Sequence, residues 1–169
     1  IMEEEMREMA KRTAVAALVG VTAMSMLAGC GEKNLDGTKT VATVNGTDIP
    51  LGIVSLSVRQ QQAQTEAMYL SLMGSQANIW DTEAEEGVTY GEQLVDEVLQ
   101  DVELMYIMRE KAPDYGIEVT EEDETAIAEA AASFMEANDE ETIQTLAVDE
   151  DMVKTLLELE TYRERIYDP

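Results

Sequence analysis

From Leu51 onward, apolar residues recur every three or four positions in one segment after another, and this spacing leaves few folds open. Leu51, Val54, Val58, Met68, Tyr69, Leu72 and Met73 share one face of a first helix, which Gly74 is placed to stop. A second helix is predicted from Tyr90 to Lys111, with Leu94, Val95, Val98, Leu99, Val102, Met105 and Tyr106 in its apolar stripe. Glu92, Asp96, Glu97, Asp101 and Glu103 lie on its other face. Pro113 ends it, and Tyr115-Gly116 makes a turn. After an extended link, Ile117–Val119, Thr120 and Asp123 form a capping-box pattern that opens a third helix carrying Ile127, Ala131, Phe134 and Met135. Asn138-Asp139 opens a short helix with Ile143 and Leu146. Asp149 opens a last one with Met152, Val153, Leu156, Leu157, Leu159, Tyr162 and Ile166. Residues 75–89, with Trp80 among acids, read as a loop.

The period differs before Pro50. Thr40–Val44 alternates and is β-branched, Asn45-Gly46 is a strong hairpin-turn pair, and Thr47–Ile49 returns. Pro50 suits a helix start. The expected fold is therefore mainly α: a small N-terminal β-hairpin followed by four or five amphipathic helices. Each has an apolar face that must be covered by another helix or by a partner.

The first thirty residues are of another kind. Thr13–Leu27 is uncharged and apolar, Lys11 and Arg12 precede it, and Leu27-Ala28-Gly29-Cys30 follows. This is the pattern of a secretory signal, shorter than the roughly 20 residues of a membrane span. The last four residues resemble the lipobox of bacterial lipoproteins, in which the cysteine takes a diacylglycerol and the chain is cut before it. Residues 1–29 are thus expected to be a signal peptide. Residues 30–39 are expected to be the lipidated Cys30 and a flexible tether, and residues 40–169 a helical domain. The acids Glu3, Glu4, Glu5 and Glu8 do not suit a signal, which places the initiator at Met6 or Met9.

Charge narrows the function classes. The formal net charge is −25, and of 36 acidic and 11 basic residues, 32 and eight follow Cys30. Such a surface repels phosphates, so nucleic acid is not an expected partner. There is no histidine and only one cysteine. This removes the usual zinc sites, disulfides and most nucleophile–base pairs. No cofactor, metal site or catalytic set is expected. The acidic runs Asp139-Glu140-Glu141 and Asp149-Glu150-Asp151 stand at helix starts, where the dipole favours them, and lack the spacing of a calcium loop.

Val41-Ala-Thr-Val-Asn-Gly-Thr-Asp-Ile-Pro50, followed by a Gln-rich amphipathic helix, resembles the start of the N-terminal chaperone domain of SurA/PrsA-type foldases. So do the order of later helices and the link Tyr115-Gly-Ile-Glu-Val-Thr120. The resemblance implies an extracytoplasmic, membrane-anchored lipoprotein, at the cell surface of a Gram-positive bacterium, that binds partly folded exported polypeptides. It also implies that a parvulin-type peptidyl-prolyl isomerase domain follows. The residues of this chain carry no such active site, so no isomerase activity is assigned to them. Met68, Tyr69, Leu72, Met73 and Trp80 are the candidate client-binding side chains. Methionine adapts its shape, and Trp and Tyr offer area with a polar tip. Trp80, in an acidic loop, is expected to be the most exposed, and the glutamines 60–64 are expected to form a solvated face. The alternative is a structural or interaction lipoprotein that binds one specific envelope partner.

Overall fold

A computed structural model describes residues 35–74 and 79–167. The leader and Cys30 lie outside the described residues. Strands β1 (Thr40–Val44) and β2 (Thr47–Pro50) pair antiparallel, Ala42 opposite Ile49 and Val44 opposite Thr47. Asn45 and Gly46 turn the hairpin with φ of 50° and 86°, the left-handed pair that matches strand twist. Pro50, at φ −73°, leads into α1 (Leu51–Met73), which ends at Gly74 in the left-handed region (φ 69°).

The segment expected to be tether is seated in the fold at its described end. The Gly37 carbonyl accepts from the Gly52 amide at 2.9 Å, and that of Lys39 accepts from Leu51 at 2.7 Å. Two free amides at the start of α1 are thereby satisfied. Gly37 is buried, and a Cβ on it or on Gly52 would overlap the Ala147 carbonyl. These two glycines permit the close approach of three chain segments, and the packed domain begins before Thr40.

Where an irregular loop was expected, a second small hairpin forms from β3 (Glu83–Glu85) and β4 (Val88–Thr89). Thr89 and Glu92 make a reciprocal capping box that opens α2 (Tyr90–Lys111). A 3-10 turn, Ala112–Tyr115, ends at Gly116. Then come α3 (Glu121–Ala137), α4 (Glu140–Leu146) and α5 (Glu150–Tyr167). Both acidic runs prove to be caps. Asp139 accepts from the Thr142 amide and Asp149 from that of Met152, each at 2.8 Å.

Helix α5 is the centre of the domain. It packs on α3, on α2 and on α1. Val153, Leu156 and Leu159 are fully enclosed with Ile49, Ile53, Leu56, Val102, Met105 and Phe134. The fold class is mainly α, as expected. Among the described residues no helix is long and apolar enough to cross a membrane.

Candidate functional site

The long first helix is two helices in character. Gly52, Ile53, Val54, Leu56 and Gln62 are buried, and beyond Gln62 no residue of α1 is. The end of the buried part is marked by Trp80, whose indole N–H donates to Glu66 Oε1 at 2.7 Å. The Trp80 carbonyl accepts from the Gly91 amide at 2.9 Å, which ties the same point to the start of α2. Past Glu66, seven residues remain to Met73, about 10 Å of helix at 1.5 Å per residue. They carry the apolar side chains Met68 (55% exposed), Leu70 (47%), Leu72 (74%) and Met73 (71%).

Of the candidate side chains, Met68, Leu72 and Met73 therefore stand together and exposed on this projecting end, and Tyr69 is half-buried between them. Trp80 departs from the expectation: it is half-buried against the core. Its indole N–H finds a carboxylate, and burying the ring beside that partner removes apolar area from water without orphaning a donor. Gln62 also departs from the solvated face expected of residues 60–64. It is buried, and its Oε1 accepts from Arg59 Nη1 at 3.2 Å. Leu70 was missed because it lies off the apolar stripe. Val88, Tyr90 and Val95, all exposed where β4 runs into α2, were also missed. Nothing in the spacing of residues 85–97 marks Val88 and Tyr90, and Val95 falls within the apolar stripe of α2.

The opposite end of the domain, where the hairpin meets α5, holds a shallow depression of about 340 Å³. Asp48, Ile53, Tyr106, Arg109 and Asp149 are on its wall. The Arg109 guanidinium lies 4.6 Å from the Tyr106 ring centre and 3.9 Å from Glu158. Burial pushes the Tyr106 hydroxyl up, against the lowering effect of Arg109. The charged groups there already have partners: Arg109 faces Glu158, Asp48 accepts from the Thr43 hydroxyl at 3.0 Å, and Asp149 caps α5. Among the described residues no three His, Cys, Asp or Glu side chains are grouped to hold a metal ion. Among the described residues, the projecting end of α1 gathers four large exposed apolar side chains within six positions. Chemically, such a surface can take up other apolar groups with little demand on their sequence, because hydrophobic contact is non-directional and methionine is adaptable.

Compared with known proteins, the chain finds no match among curated proteins and none among solved structures. Among protein families it does find one. Residues 2–146, far more than half of the chain, match the family described as the SurA-like N-terminal domain. The match takes in the hairpin, the whole of α1 with its exposed end, and the helices through α4, and stops before α5. The chain belongs to the SurA-like N-terminal domain family.

Proposed function

We propose that this chain is the polypeptide-binding lobe of an extracytoplasmic chaperone. It is held at a membrane by lipid on Cys30, and it takes up partly folded exported proteins on the projecting end of α1. The observation that carries the reading is the exposure of Met68, Leu72 and Met73 on a helix whose first half is core. Large apolar side chains exposed together, rather than scattered singly, mark interaction sites. Family membership supports a chaperone-type role. The Leu27-Ala-Gly-Cys30 pattern supports export and lipidation.

The test uses several unrelated denatured proteins diluted into buffer with the purified chain. The wild type delays their aggregation. M68S/L72S/M73S loses most of that effect, about threefold or more, since a few exposed apolar anchors supply most of such binding. Its circular dichroism and thermal midpoint stay as in the wild type. If the wild type delays none of these proteins and instead captures one envelope protein tightly, the chain is an interaction module rather than a general chaperone. For the anchor, Cys30→Ser in cells is expected to move the protein from the membrane fraction to the soluble one.

A further inference from the structure

The projecting end of α1 lies in one of two long stretches of the chain that hold no cation, the other running from Ala112 to Val153. Between Arg59 and Arg109 there is no lysine or arginine, and there are ten aspartates and glutamates. That stretch comprises the distal half of α1, the β3–β4 hairpin and most of α2. Glu85 and Glu86 are exposed at the hairpin turn, and Asp96 and Glu97 on the outer face of α2. Glu66, which holds the Trp80 indole, is within one turn of Met68 and Tyr69.

The basic side chains for which the structure gives partners are engaged before this end or away from it: Arg59 donates to Gln62 at the limit of the buried part of α1. Arg109 faces Glu158, Lys111 faces Glu110, and Lys154 faces Glu150 at 2.7 Å. Arg165 faces Asp123 at 2.6 Å. Arg163 does reach an acid of the stretch, Asp101, at 2.9 Å, but Asp101 is about three helical turns along α2 from the hairpin. An exposed apolar cluster thus follows Glu66 on α1, and the Trp80–Glu66 and Gly91–Trp80 hydrogen bonds join the acidic segment that holds the hairpin to the same helix, with no basic residue between Arg59 and Arg109 in sequence.

We propose that this end of the domain selects cationic clients: non-native polypeptide segments in which large apolar residues are interspersed with lysine or arginine. The inference rests on the reading that the end of α1 binds polypeptide, and it names the class of polypeptide. Apolar contact provides adhesion without choosing a sequence, and the charged border chooses which segments approach. Lysine and arginine fit this border well. Their aliphatic stems lie along apolar surface such as Leu72 and Met73 while their charged heads reach the carboxylates. Acid-flanked segments are repelled before contact. The same charge disfavours the other possible occupants. A second copy would bring a like-charged face, and an anionic lipid surface would be repelled.

The test measures binding of three labelled peptides to the full chain. They share one apolar core and differ in flanks of lysine, serine or glutamate. At about 20 mM salt the lysine-flanked peptide is expected to bind at least about tenfold more tightly than the glutamate-flanked one, the gap closing to about twofold near 0.5 M. E85Q/E86Q narrows the low-salt gap. E140Q/E141Q, which removes the same charge from the exposed start of α4, leaves it as it was. Equal binding of all three peptides overturns the charge selection while the chaperone reading stands. Binding of none removes the chaperone reading as well. Sedimentation as a dimer that L72S splits also overturns the proposal, because a second copy then covers the surface.

Discussion

Asp123 shows how one side chain can hold several pieces of this fold together. It is the third residue of α3 and is only 4% exposed. The Thr120 amide donates to its Oδ2 at 2.7 Å, the Thr120 hydroxyl at 2.6 Å, and Arg165 Nη2 at 2.6 Å. Arg165 also donates to the Glu118 carbonyl, so the cap of α3, the extended link and the last turn of α5 meet at one carboxylate. Burial pushes its pKa up, but the Thr120 hydrogen bonds and Arg165 outweigh it and hold the carboxyl below its ordinary value of 3.8. A group lowered on folding stabilises fully above its ordinary value and loses that contribution as pH falls through the folded value. Asp123→Ala is therefore expected to cost about 2 kcal/mol at pH 7, by loss of a cap and a shielded ion pair. Urea unfolding of both proteins checks it: the difference shrinks below pH 3.8. Glu160 has the opposite sign. Burial raises it, against Arg163, so its charged form weighs on the fold at neutral pH.

At the scale of elements, what was legible in sequence was what local chemistry decides. The Asn45-Gly46 turn, the Gly74 stop, the Thr120 box and the Asp139 and Asp149 caps depend on residues within four positions, and all form as the spacing implies. The β3–β4 hairpin was not legible. Glu83–Thr89 has no apolar alternation, and the segment is fixed by the Tyr90 amide to Thr82 and the Gly91 amide to Trp80. Trp80 is placed by Glu66, fourteen residues away in sequence. The point where α1 leaves the core is likewise set by how far its neighbours reach, not by its own pattern. The candidate face was readable, and its boundary was not. The same leucine should then count very differently on two helices. Leu156→Ala on α5 empties a fully enclosed position and is expected to cost about 3 kcal/mol. Leu72→Ala on the end of α1, 74% exposed, is expected to change stability by less than about 0.5 kcal/mol. Denaturant titration of the two variants decides it, and a large loss for Leu72→Ala would mean that the end of α1 is packed in solution.

For the whole molecule, charge is the dominant global term. A net charge of −25 on 169 residues makes the compact state repel itself. The ion pairs on the surface offset little of this, because exposed pairs contribute about 0–1 kcal/mol each and are screened by salt as well. The two effects respond to salt in opposite directions, so a salt titration tells which one wins. With so large an excess of one sign, repulsion should win, and adding salt should stabilise the fold. Raising sodium chloride from about 10 mM to about 0.5 M, which shortens the screening length from about 30 Å to under 8 Å, is expected to raise the thermal midpoint by about 3–6 °C. A falling midpoint would mean that paired charges, such as Arg163 with Asp101 and Lys154 with Glu150, contribute more than the repulsion costs. The same titration acts on binding with the reverse sign, since screening removes the attraction of the acidic border for cationic segments. Salt should therefore make the domain more stable and less selective at once. That divergence separates a client preference set by the surface from one that merely follows the stability of the fold.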